Sequence, residues 1–460
     1  MPDATLTQID WHDGDPDAAF AKAAARDVPL FMYWGATWCP PCNRIRAIAF
    51  SRPDFKALAP SFVALHLDGD GVGAQQLAER FHVRSYPTLI VFRPDGTEIT
   101  RLPCELNGAR FVHMFKVALS ASRTAAESLS AALSGERPLS DDEWRLLSCY
   151  SWDTDEHQVL KSLDYAAMLA SLTRACTLPD AAQRLQWHAL HAAAMSGKGG
   201  LDQRAAILQL EQTLADAQAV CLQIDIVTNQ AVDLVRFLTA PHSPDRNRLT
   251  HAWALALEQL ELDPTLNLAD QLAALRTRVR MARLGEPIDG LEQVARERVA
   301  QAMQAANGPA LRHQLVNTAA GLLSDAGLLD EAEQLLLAEL AHAHAHAPYF
   351  FMHTLAAIAK KRGDPAGALQ WYEQAWQRAS GPATRLQWGA TYLQALVDFA
   401  PHDAPRIDRC AGELLQEIGA RNDAFCQRNR TQLERIASKL ALWNGASTQA
   451  AALRDVATQN

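Results

Sequence analysis

Two cysteines separated by two residues carry the clearest chemical signal in this chain. They stand in Trp34-Gly-Ala-Thr-Trp38-Cys39-Pro40-Pro41-Cys42. An apolar, aromatic run precedes them and a helical pattern follows, so the pair falls where a strand hands over to a helix. The first turn of a helix presents unpaired amides and a partial positive charge. Such a site favours a thiolate at Cys39. Cys42 lies one turn further in, within reach of a sulfur joined to Cys39. Pro40 and Pro41 suit the first turn, where missing amide donors cost little. Cys39 is therefore the expected nucleophile of a thiol–disulfide exchange, and Cys42 the expected resolving thiol. Zinc binding by the same pair would need two further ligands at suitable spacing. The chain has no second C-x-x-C.

The elements around the pair alternate. The pattern predicts a helix over 17–26, a buried strand over 28–35, helices over 40–49 and 54–58, and a strand over 62–67. A helix over 73–81 follows, then strands over 88–92 and 98–102 and a closing helix over 107–119. Asp95-Gly96 between the last two strands is a strong hairpin signal. This order gives an α/β domain, a mixed sheet with helices on both faces, over residues 1–120.

A second segment, Val83-Arg84-Ser85-Tyr86-Pro87-Thr88, stands immediately before a strand. Together the two segments resemble the thioredoxin superfamily, over about residues 15–120. The resemblance implies a cis Pro87 lying against the C-x-x-C and a Tyr86 backbone that pairs with an extended substrate chain. It also implies Thr88 beside them in the substrate-binding set and Trp38 as a shield over the site. Phe50-Ser51-Arg52-Pro53-Asp54-Phe55 and the Asp68–Gly73 loop look most like the C-terminal thioredoxin-like domain of thiol:disulfide interchange proteins of the DsbD type. Two positions depart from the pattern. Tyr33 stands where thioredoxins bury an aspartate that helps to deprotonate the second cysteine. Cys104 falls where relatives often have glycine, and reads as a packed small hydrophobe rather than a third redox thiol.

From about residue 141 the chain reads as helix almost without a break. Residues 121–140, rich in Ala and Ser, are the expected linker. Ser140 and Glu143 form a capping-box pattern that opens the next helix. Residues 141–310 are an expected helical region, with long helices over 205–237 and 291–306. Residues 311–460 carry an internal repeat: Gly363-Asp364-Pro-Ala-Gly-Ala368 follows Gly327-Leu-Leu-Asp330-Glu-Ala332 by 36 residues. The repeat resembles the tetratricopeptide repeat, with 385–419 as a degenerate third unit. Such all-α repeats usually present a concave face to a protein partner; the other reading is a helical scaffold with no partner.

Composition removes other classes. The chain has 460 residues and a net charge of −9, with no Lys/Arg run long enough to make a basic stripe, so a nucleic-acid partner is not expected. No apolar stretch is long enough for a membrane span. The opening residues lack a leader pattern, so the expected compartment is the cytoplasm, with the periplasm as the alternative if a leader has been removed. Of eight cysteines, only Cys39 and Cys42 are close in sequence, which is not a disulfide framework. His342, His344 and His346 read as imidazoles on an Ala-rich helix rather than a metal site. His82, His113, His188 and His191 are assigned no chemistry. The expected function is a protein disulfide reductase that needs no metal or organic cofactor. Its substrates are disulfide-bearing proteins, its electrons come from an upstream reductase or thiol pool, and its repeats select the substrate. The alternative, by resemblance to chaperedoxins, is a chaperone or adaptor whose repeats hold clients and whose redox pair is secondary.

Overall fold

Five short strands form the only sheet among the residues that the computed structural model describes, which are 9–155, 159, 164–197, 202–306, 308–341, 347–419, 421–443 and 448–459. They are β1 (Trp11–Asp13), β2 (Leu30–Gly35), β3 (Val63–Asp68), β4 (Thr88–Phe92) and β5 (Glu98–Leu102), in the order β1-β3-β2-β4-β5. β1 runs parallel to β3, with Trp11 opposite Ala64. β4 and β5 are antiparallel, with Leu89 opposite Leu102 and a register shift at Val91/Phe92. Sequence periodicity did not reveal β1, because three residues are too few to show a period.

Five helices accompany the sheet: α1 (Pro16–Arg26), α2 (Pro40–Ile45), α3 (Pro53–Lys56), α4 (Ala74–Arg80) and α5 (Gly108–Leu119). α2 runs directly into a π-helical turn, Arg46–Phe50, so the helix expected over 40–49 is continuous but changes pitch. The core is aromatic. Phe31 packs 4.7 Å from Phe115, Phe50 lies 5.1 Å from Phe55, and Phe62 lies 5.0 Å from Phe115, measured between ring centroids. Each fully buried Phe contributes about 1.5–3 kcal/mol relative to an exposed one.

The stretch expected as a linker contains a helix, α6 (Ala125–Ser134), opened by a capping box of Thr124 and Glu127. Its Ala/Ser composition hid a Thr-x-x-Glu signal that is present in the sequence. α7 (Asp141–Ser148) begins with Ser140 and Glu143 each bonded to the other's backbone, as expected. Beyond it, the long helix expected over 205–237 is broken into Gln203–Leu214, Ala217–Leu222, Ile224–Asn229 and Ala231–Leu238. Asp216 starts a new helix by accepting the Gln218 and Ala219 amides, the local competition that short polar side chains offer a helix interior. Among the described residues no helix is long and apolar enough to cross a membrane.

The chain divides into two bodies. The first comprises Met1–Tyr33, Pro40–His66 and Thr88–Leu328; the second comprises Trp34–Cys39, Leu67–Pro87 and Leu329–Asn460. In the first, the fully buried Arg101 of β5 makes a two-point bond to Glu98 at 2.8 and 3.0 Å, and its carbonyl accepts the Ser151 amide. This ties the sheet to the segment after α7. In the second, helices Pro348–Lys361 and Pro365–Arg378 pack as a close pair across Gly363, and Pro382–Phe399 packs on Ala404–Gly419. The aligned repeat glycines, Gly327 (φ 91°) and Gly363 (φ 74°), end their helices in the same left-handed conformation. The helix before Gly327, Pro309–Ala326, belongs to the first body and the helix after it, Leu329–Leu340, to the second.

Candidate active site

β2 delivers the redox motif. The chain leaves the strand at Gly35, turns, and returns the Cys39 amide to the Ala36 carbonyl at 3.2 Å. The Cys39 thiol donates to the Tyr86 carbonyl at 3.6 Å, and the Tyr86–Pro87 peptide is cis. The two segments that the sequence singled out therefore meet at the sulfur. Cys39 is 3% exposed and Cys42 is 0% exposed. All eight cysteines are thiols. Pro87 is buried, and Thr88 is buried as the first residue of β4.

Two indole rings pack on the Tyr86 ring. Trp34 stacks on Tyr86 at 6.2 Å and Trp38 meets it edge-on at 5.4 Å. Tyr86 donates its hydroxyl to the Gly69 carbonyl at 2.7 Å, and burial pushes its phenol well above the ordinary range. A side chain at residue 69 would stand 2.1 Å from the Tyr86 ring, so only glycine fits there.

Within the second body, the C-terminal helices pack on this turn. The Phe350 ring stacks on Trp38 at 5.6 Å. The Arg428 guanidinium lies 4.6 Å from the Tyr86 ring and 5.6 Å from Trp38. Asp70, 7% exposed, accepts from Trp38 Nε1 and from the Thr384 amide, both at 2.9 Å. That amide belongs to the first turn of helix Pro382–Phe399, whose N-cap is Gly381 and has no side chain to offer. Asp70 thus supplies the missing cap. Burial raises the Asp70 pKa above the usual carboxylate range, against the pull of the Thr384 and Trp38 bonds. The converse bond is also present. α4 begins at Gly73, again without a capping side chain, and its Gln75 amide is accepted by Asp423 at 3.3 Å. Gln75 in turn accepts the Arg428 amide at 3.2 Å.

The other end of the motif belongs to the first body. Arg44 of α2 bonds to Asp270 at 2.7 Å and to the Cys104 carbonyl at 3.1 Å. The Cys104 thiol donates to Glu105 at 3.0 Å. Burial raises the Cys104 thiol strongly; the neighbouring Glu105 adds to this, and the Cys42 thiol is close enough to contribute as well. Burial, and then Asp153, also raises the Glu105 carboxyl. Tyr33 is no proton acceptor. It is 1% exposed, stacked on His66 at 5.1 Å and edge-on to Phe50 at 5.3 Å.

The remaining candidates fall elsewhere. His82 sits in an exposed turn and His113 on the exposed face of α5. His188 and His191 lie on helix Pro179–Ser196. His342, His344 and His346 lie outside the described residues. No group of three or more metal-ligating side chains occurs among the described residues. Sequence reasoning missed Asp70, Glu105, Phe350 and Arg428. Only Asp70 had a local signal, the glycine-flanked Asp68-Gly-Asp70-Gly loop; the others depend on partners far away in the chain.

A mixed sheet, a C-x-x-C at the start of a helix and a cis-proline turn against its first sulfur define a thioredoxin-like domain. The thioredoxin-like family model matches residues 10–94. Thioredoxin of Echinococcus granulosus is 34% identical over 99 residues, which are 21% of this chain and 79% of that protein. Through this N-terminal domain the chain belongs to the thioredoxin-like family. The thiol:disulfide interchange protein DsbD 2 of Pseudomonas aeruginosa is 32% identical over 114 residues, 24% of this chain. The chain spans 19% of the length of that relative. The family associates the domain with thiol–disulfide redox chemistry.

Proposed function

We propose that this protein is a disulfide reductase working through Cys39 and Cys42, in a reducing compartment such as the cytoplasm. The observation that carries the reading is the Cys39 sulfur held 3.6 Å from the Tyr86 carbonyl of the cis-proline turn. The Cys39 thiolate attacks one sulfur of a substrate disulfide, and the other sulfur leaves as a thiolate. Cys42 then gives up its proton and attacks the Cys39 sulfur, closing the Cys39–Cys42 disulfide and releasing the second substrate thiol. Two electrons pass to the substrate, and an upstream dithiol restores the pair. Tyr86, Pro87 and Thr88 form the substrate-binding turn, with Trp38 over the sulfur, and the helical region selects the substrate protein. Six scattered cysteines outside the motif suit a reducing compartment.

An equilibrium titration of the pair against a thiol–disulfide buffer tests the direction. A potential near −270 mV, like thioredoxin, is expected; one near −120 mV, like DsbA, would make the protein an oxidant. Cys42→Ser is expected to trap covalent partners from a native lysate, and trapping none would count against the exchange mechanism.

The burial of Trp38 and Cys39 favours a second reading, in which the helices hold clients and the redox pair is secondary. A client-holding assay on the Cys39→Ser/Cys42→Ser variant separates the two. Retained holding supports the chaperone reading, and full loss opposes it.

A further inference from the structure

Pro40 and Pro41, the residues between the redox cysteines, line a cavity of about 1280 Å³ in the first body. Cys104 and Glu105 border it beside the motif, and the far walls come from helices Pro179–Ser196 and Ile224–Asn229. We propose that this cavity takes an extended, cationic peptide segment of the protein whose disulfide is reduced. The proposal rests on the oxidoreductase reading above and adds the class of substrate.

Size is the first ground. Small-molecule sites occupy roughly 300–1,000 Å³, and this cavity is larger. Charge is the second. Its described lining has six carboxylates against two guanidiniums and no lysine. Both guanidiniums are held in ion pairs, Arg44 with Asp270 at 2.7 Å and Arg184 with Asp225 at 2.5 Å. Glu105, Asp153, Asp164 and Asp233 lie outside those two pairs, Asp233 standing 3.8 Å from His191 Nε2, and the three aspartates are exposed. The lining imidazoles do not offset them. Burial, then the charge of Arg184, pushes His188 down to about 3, and burial also lowers His191.

The walls supply the third ground. Tyr165, partly exposed, lines the space, and a tyrosine ring suits the methylene stems and charged heads of Lys and Arg. Met195 lines the cavity while 69% exposed, the kind of adaptable surface that accepts varied apolar neighbours. Gln230 Oε1 and His188 Nε2 are buried atoms without a hydrogen-bond partner in the protein. A buried acceptor in that state suits an incoming peptide N–H. An anionic low-molecular-weight thiol would meet like charge here.

Direct binding to the full-length Cys39→Ser/Cys42→Ser protein tests this apart from redox chemistry. The probes are two fluorescent, cysteine-free nonapeptides, one alternating Arg and Leu, the other Glu and Leu. The Arg peptide is expected to bind, to weaken about tenfold in Asp153→Asn/Asp233→Asn, and to weaken with added salt. The Glu peptide is expected not to bind. Glu136→Gln/Glu292→Gln, two exposed residues that do not line the cavity, should leave binding unchanged. Equal binding of both peptides, no binding of the Arg peptide, or equal loss in the two variant pairs would overturn the proposal. Those results leave the oxidoreductase reading standing if the wild-type pair still titrates. Binding as expected with a redox-silent wild-type pair would instead sink the oxidoreductase reading and keep the site.

Discussion

At the scale of single residues, the proposed exchange needs a base for the Cys42 proton, and Tyr33, buried among His66 and Phe50, is a neutral phenol rather than a base. One carboxyl on that side of the motif, besides the Asp270 paired with Arg44, is Glu105, bonded to the Cys104 thiol at 3.0 Å. Its raised pKa makes it a better proton acceptor when ionised than an ordinary surface carboxylate. Glu105→Gln is therefore expected to slow closure of the Cys39–Cys42 disulfide by about tenfold or more, while leaving formation of the mixed disulfide unchanged. Single-turnover kinetics followed by tryptophan fluorescence separates the two steps. In the wild type the closure rate should rise as Glu105 ionises; in the variant that rise should vanish. A variant with the wild-type pH profile would remove Glu105 from the reaction. The two cysteines were legible from spacing alone, because a helix turn dictates where the second sulfur lies. Glu105 was not, because nothing local distinguishes a carboxylate that the fold will bury from one on the surface.

At the scale of elements, helix ends were the most legible feature when the capping side chain is local. Ser140 and Glu143 announced α7 in the sequence, and the structure adds Arg137, bonded to Glu143 at 2.9 Å. That bond, with smaller help from the Ser140 amide and Ser128, holds the Glu143 pKa near 2 against a usual 4.5. A carboxylate with a lowered folded pKa adds stability that is fully present above about pH 4.5 and lost as pH falls toward 2. Acid titration of thermal stability should show this loss in the wild type and much less of it in Glu143→Gln; identical curves would contradict the assignment. Caps supplied from a distance were invisible. Gly73 and Gly381 mark two helix starts that lack a capping side chain, and the aspartates that serve them, Asp423 and Asp70, lie more than 300 positions away in sequence. Removing either cap by Asp→Ala should cost about 1–2 kcal/mol in denaturant unfolding. Asp70→Ala should also change the emission of Trp38, whose indole N–H loses its acceptor.

At the scale of the whole molecule, the α/β pattern followed by continuous helix was legible because the hydrophobic period changes near residue 140. The membership of the two bodies was not legible, since residues 34–39 and 67–87 belong with 329–460 rather than with their neighbours in sequence. Within that grouping Asp70, Gln75, Asp423 and Arg428 bond across long sequence distances, single polar residues whose partners no periodicity identifies. It has a consequence for cooperativity, because segments that share buried contacts tend to open as one unit. Native-state hydrogen exchange at low denaturant should therefore give the amides of α4 and of helix Gln427–Ala441 a common opening free energy. Asp423→Ala should lower both together, by about 1–2 kcal/mol, and leave the amides of β4 and β5 unchanged. If α4 instead exchanges with β4 and β5 and ignores Asp423→Ala, the Tyr86–Pro87 turn is held by the sheet. The C-terminal helices would then be a passive cover. If α4 follows Gln427–Ala441, the stability of the loop that leads to Tyr86 and Pro87 is set by the helices, and anything that loosens them also loosens the turn that meets Cys39.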